Sequence, residues 1–120
     1  MLSLSFICLA GAVLLGTLLA LPYLRGASVP PGWLVGVHAT FGVAGLAALT
    51  LALRGPPRGL EQGTGSFGAI SAALIAAALL AALGMLAGRL RRRRVSATLV
   101  GVHATLAVGG FVVLIVYVFG

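Results

Sequence analysis

The chain has two histidines, His38 and His103, and both sit in the same heptapeptide, Leu-Val-Gly-Val-His-Ala-Thr, at Leu34–Thr40 and Leu99–Thr105. Their spacing, 103 − 38 = 65, is about half of the 120 residues. A neutral imidazole is the commonest metal ligand among side chains, and a pair of them can hold a haem iron from its two faces. In hydrocarbon neither ring can be left without a partner. The repeat therefore nominates His38 and His103 as a ligand pair for a metal, haem iron in particular.

The setting is a membrane. The chain is 61% hydrophobic and 8% charged, where a soluble domain carries about a quarter charged residues. All eight basic residues are arginine, Glu61 is the only acidic one, and the net charge is +7. Most arginines flank apolar runs, which is a topology signal and argues against nucleic-acid binding. Cys8, the only cysteine, has no partner for an internal disulfide and reads as a small buried hydrophobe. The run from Leu2 to Leu21 has no basic segment before it and is long enough to span. It reads as a retained helix, not a secretory signal.

Four apolar segments, Leu2–Leu21, Trp33–Leu53, Ser66–Ala87 and Val95–Phe119, each offer the roughly 20 residues that a spanning helix needs. Lipid supplies no hydrogen bonds to a backbone, so each segment should be helical. Pro22 is expected to close the first, and Arg25–Gly32, with Pro30 and Pro31, to form the first turn. Arg54–Arg58 and the polar residues to Gly65 separate the second span from the third, and Arg89–Arg94 the third from the fourth. Arg25, Arg89 and Arg91–Arg94 then lie on one side and Arg54 and Arg58 on the other. This places loops one and three in the cytoplasm of a bacterial-type inner membrane, with both termini outside. Tyr23 and Trp33 fall at one boundary and Tyr117 at the other, as interfacial aromatics.

The expected fold is all-α: a four-transmembrane-helix bundle made from a duplicated two-helix hairpin, with a pseudo-twofold axis along the membrane normal. It forms a single membrane domain, 1–120, with repeats of about 1–60 and 61–120. The competing account is two alike Val/Ala/Gly-rich spans. Gly68, Ala72, Ala76, Ala77, Ala81, Gly84 and Gly88 give the third helix a surface suited to close helix packing.

His38 lies six residues after Gly32, about 9 Å along a helix, and His103 nine after Arg94, about 13 Å. Both are expected in the cytoplasmic half of the bilayer. Gly42 and Gly45 lie at i+4 and i+7 from His38, and Ala107 and Gly110 at the same offsets from His103, so each imidazole should face a slot for a porphyrin edge. The carbonyls of Leu34 and Leu99 are candidate acceptors for Nδ1, leaving Nε2 for the metal. Thr40 and Thr105 should bond back into their own helices. Haem propionates would face the arginine run and Ser96, although topology alone accounts for that run. Met85 and Cys8 lie near opposite membrane faces and are poor axial candidates. Without a cofactor, each histidine would bond a neighbouring helix, or the two would clasp each other.

Four membrane helices with histidines placed to hold haem between them resemble the small b-type membrane cytochromes of the cytochrome b561 group, and the doubled hairpin is similar to the four-helix halves of haem A synthase. The b561 pattern supplies four histidines for two haems. Two histidines limit this chain to one bis-histidine haem, which the resemblance implies to be haem b. The resemblance implies electron transfer with quinone or a respiratory partner subunit within the lipid bilayer, and is compatible with a homo-oligomer. It suggests an electron-transfer protein more than a stand-alone enzyme. Alternatives are a structural or assembly subunit of a larger membrane complex, or a pigment-binding protein. A small drug exporter would need an intramembrane carboxylate, and Glu61 lies in a loop. Two histidines make half of a tetrahedral zinc site, and no acid, base or nucleophile constellation is present.

Overall fold

A computed structural model describes residues 1–26 and 29–120. Four helices follow in chain order: α1 (Leu2–Leu24), α2 (Gly32–Ala52), α3 (Phe67–Leu90) and α4 (Ala97–Phe119). The shortest has 21 residues, about 32 Å at 1.5 Å per residue, enough for a bilayer core about 30 Å thick. All four are apolar enough to cross a membrane, and no strand occurs among the described residues. The protein is an all-helical, multi-pass integral membrane protein.

The helix ends differ from the expected ones in instructive ways. Pro22 does not close α1; it lies inside the helix, which runs on to Leu24. Pro22 forfeits the hydrogen bond its N–H would have made one turn back and its ring crowds the carbonyl there, but the residues after it keep their own N–H groups, so two more can follow. Closure falls to Gly26, whose φ of 65° suits the residue just past a helix end, with its N–H donated to the Tyr23 carbonyl at 3.2 Å. The turn expected over 25–32 includes Ala27 and Ser28, which lie outside the described residues. At its other end α3 takes in Arg89 and Leu90, beyond the expected stop at Ala87.

The chain divides into two compact units, Met1–Gly55 and Pro56–Gly120. Each is one hairpin: α1 packs on α2, and α3 on α4. The first hairpin buries Ser5, Leu9 and Ala12 of α1 and Gly45, Ala48 and Leu49 of α2. The second buries Gly68, Ser71, Ile75 and Ala78 of α3 and Gly110, Leu114 and Tyr117 of α4. Steps of three and four residues place each set in one narrow stripe. Most other large apolar side chains, such as Leu14 and Leu80, are exposed. Lipid tails solvate them as well as a protein interior would.

Tyr117, two residues before the end of α4, is buried, unlike Trp33 at the start of α2. It is 7% exposed, while Trp33 is 71% exposed.

Candidate functional site

The geometry begins with the partner of each histidine. His38 Nδ1 lies 2.9 Å from the Ala12 carbonyl oxygen on α1. His103 Nδ1 lies 2.8 Å from the Ala78 carbonyl oxygen on α3. A carbonyl oxygen only accepts, so Nδ1 carries the proton and donates in both cases. In the neutral ring the lone pair then sits on Nε2, the nitrogen a metal would use. The tautomer is the expected one, but the acceptors are not Leu34 and Leu99. Nδ1 is close to Cβ and has little reach, and a facing helix that approaches over alanine and glycine brings a carbonyl within that reach.

A second bond runs the opposite way in each hairpin. Ser5 Oγ on α1 donates to the Gly45 carbonyl on α2 at 3.0 Å, and Ser71 Oγ on α3 donates to the Gly110 carbonyl on α4 at 2.8 Å. Both serines are fully buried. Each helix of a hairpin thus gives one side-chain donor and one backbone acceptor. These bonds use what small residues permit: a helix carbonyl keeps a second lone pair after its own ladder bond, and close approach exposes it to the neighbouring helix. Every buried side-chain nitrogen and oxygen among the described residues has a partner.

The serine and histidine bonds of one hairpin correspond to those of the other. The serine bonds join residues 40 and 39 apart, and the histidine bonds residues 26 and 25 apart. One residue fewer separates the paired positions in the second hairpin in each case. The connections account for it: residues 25–31 join α1 to α2, seven in all, and residues 91–96 join α3 to α4, six in all. Both histidines stand six residues after the first residue of their helix, about 9 Å. Each histidine thus has the same position along its own helix, with His103 nearer its helix start than a count from Arg94 implied. Their acceptors, Ala12 and Ala78, lie near the midpoints of α1 and α3. The imidazoles are therefore at hydrocarbon depth, where an unsatisfied N–H is costly.

The slot expected beside each ring is not found at Gly45 or Gly110. A Cβ on Gly45 would stand 2.6 Å from Leu9 Cγ, and one on Gly110 2.8 Å from Ile75 Cγ1. Both glycines serve helix–helix contact, and their missing side chains are replaced by protein. Gly42 and Ala107 are half-buried. The ring of His38 lies over Gly16, whose added Cβ would meet Cε1 at 3.0 Å. Thr40 bonds back to Gly36 at 2.9 Å as expected. Ser96 is the residue before α4 and makes no side-chain cap. Cys8 is a half-buried free thiol.

Ser5, Ser71, Ala12 and Ala78 were not legible as partners from the histidine motif. A signal exists: Ser5-Phe-Ile-Cys-Leu-Ala-Gly-Ala12 and Ser71-Ala-Ala-Leu-Ile-Ala-Ala-Ala78 share serine, a branched aliphatic and two alanines at the same offsets. Such letters are too common in spanning helices to stand out.

Among the described residues no three or more histidine, cysteine, aspartate or glutamate side chains gather as a metal site. What the geometry defines is a membrane protein of two helical hairpins, each fastened by one serine and one histidine to backbone carbonyls of the facing helix. No family model, curated protein or solved structure matches the chain.

Proposed function

We propose that this is a membrane b-type haem protein in which His38 and His103 would hold one haem, with electron transfer to quinone or a partner subunit as its role. One observation carries the reading. Both histidines, at equal positions in their hairpins, hold the Nδ1–H tautomer against a backbone carbonyl at 2.9 and 2.8 Å. Ligating histidines are commonly oriented in this way, with Nε2 presented to the metal. When bound, a bis-histidine haem supplies one-electron transfer without an open position for oxygen. The chain's own contribution is to fix each ring's rotation and tautomer and to keep the site in hydrocarbon. Gly42 and Ala107 remain candidates for the ring edge; Gly45 and Gly110 drop out because Leu9 and Ile75 fill their space. The arginine bias supports a cytoplasmic α3–α4 turn with the termini on the opposite side of a bacterial-type inner membrane. The shared bonds and spacings support a duplicated hairpin.

A second reading has its own support. The same two bonds fasten each hairpin, so the histidines serve as structural clasps in a subunit of a larger complex. Replacing each histidine by asparagine separates the two. An asparagine amide N–H can restore the bond to Ala12 or Ala78, but asparagine offers iron no imidazole. The haem reading expects a low-spin spectrum from protein expressed with ample haem, lost in His38→Asn and in His103→Asn while the unfolding midpoint holds. A colourless parent protein overturns it in favour of the clasp.

A further inference from the structure

The turn from α3 to α4 closes unusually. Arg92 N–H donates to the Arg89 carbonyl and Arg93 N–H to the Gly88 carbonyl, both at 2.9 Å. This is the paired closure in which the residue just past the helix adopts the left-handed conformation, a place normally taken by glycine. Here it is Arg92, with φ 54°. It is the one non-glycine residue with positive φ among the described residues; Gly26, Gly59 and Gly63 are the others. The equivalent position of the first hairpin is Gly26, since 92 − 26 = 66 matches the offset between Ser5 and Ser71. One fold position is thus filled twice, once by the residue that suits it and once by a residue that it strains.

The strained residue sits within a concentration of charge. Arg91, Arg92, Arg93 and Arg94 are exposed and Arg89 is half-buried. The reversal folds Arg93 back towards Gly88, so five guanidinium groups spread from one turn. No side chain of the chain neutralises them. Glu61, the sole acidic residue, precedes α3, and the 24 residues of that helix put about 36 Å between its ends. The turn joins two spanning helices, so it lies in the headgroup layer, where phosphodiester groups are dense. Guanidinium pairs with phosphate oxygens through two parallel hydrogen bonds, a geometry that an ammonium lacks, and every basic residue here is arginine. Basic clusters beside spanning segments are drawn to anionic leaflets.

We propose that the α3–α4 turn is a binding site for anionic phospholipid headgroups, held by Arg89 and Arg91–Arg94, and that Arg92 is kept at its strained position for this contact. The shared chemistry is a phosphate anion, and the source is the bilayer. The inference holds under either reading of the histidines.

The test uses the full-length protein in nanodiscs of phosphatidylcholine alone or with phosphatidylglycerol. Phosphatidylglycerol should raise the unfolding midpoint by several degrees and appear as bound lipid in native mass spectra. The Arg91–Arg94 glutamine variant should lose most of both effects. Arg92→Gly should have a higher midpoint than the parent in phosphatidylcholine, because strain is relieved, and Arg92→Gly with Arg93→Gln should show a reduced phosphatidylglycerol shift. The double variant also covers the case in which the fourfold variant fails to insert. Retention of the full lipid shift by the double variant overturns the proposal. So does a shift of equal size from millimolar inorganic phosphate or from a short single-stranded RNA.

Discussion

At the scale of single residues, each glycine position can be compared with its counterpart in the other hairpin. Gly45 and Gly110 are counterparts, both pressed against a branched side chain and a backbone nitrogen: Leu9 N at 3.2 Å and Ile75 N at 3.3 Å from an added Cβ. Neither contact can yield without parting the helices, which would also lengthen the serine bonds. Gly45→Ala and Gly110→Ala should each destabilise the protein by roughly 1–3 kcal/mol, the usual cost of overpacking, measured by unfolding in detergent or bicelles. Gly16 differs. Its counterpart, at the Ser5–Ser71 offset, is Ala82, and His103 still reaches Ala78 at 2.8 Å. Gly16→Ala should therefore change the midpoint little, because the second hairpin already accommodates that methyl group. A loss as large as that of Gly45→Ala would mean that the two histidines are held differently.

At the scale of helices and turns, closure of α1 depends on Gly26 and not on Pro22. Gly26→Ala should cost about 1 kcal/mol, since a methyl group at φ 65° is strained with no contact to offset it. Pro22→Ala should be neutral or stabilising, because it restores one ladder bond within an intact helix. The comparison is read from unfolding midpoints of the two variants side by side. The same contrast shows how far the sequence could be read. Length and hydropathy were enough to find four helices, because lipid imposes helix on any spanning segment. The ends were less legible, since a proline near a C-terminus and a glycine just past it compete for one role, and local geometry decides. The two histidines stand out as a rare letter repeated in a long identity, but the carbonyls that hold their Nδ1–H groups do not. Nor do the serine bonds, because Ser5 and Ser71 are surrounded by alanine and leucine that any such helix carries. The slot at Gly45 and Gly110 was misjudged for a related reason: a missing side chain leaves room, but a sequence does not say whether Leu9, Ile75 or a ligand takes it.

At the scale of the whole molecule, the arginines are unevenly divided between the turns. Five of them, Arg25 and Arg91–Arg94, fall in the connections within the hairpins, Arg89 lies in the last turn of α3 at the same end, and Arg54 and Arg58 fall in the connection between the units. Replacing Arg91–Arg94 by glutamine leaves two on each side. The positive-inside rule then gives no preference, and tags at the termini should be reached by membrane-impermeant reagents in both orientations, where the parent shows one. The side-chain bonds within the hairpins have a different consequence. The acceptors of His38, His103, Ser5 and Ser71 are main-chain oxygens, and an oxygen of that kind is present whichever amino acid occupies Ala12 or Gly45. In a saturation mutagenesis screen, donor positions should tolerate few replacements, and acceptor positions should respond only to the size of what is introduced. Paired substitutions will not rescue one another across these bonds, so methods that infer contacts from correlated changes between positions will find little to detect at the two points in each hairpin where a side chain bonds its helices together.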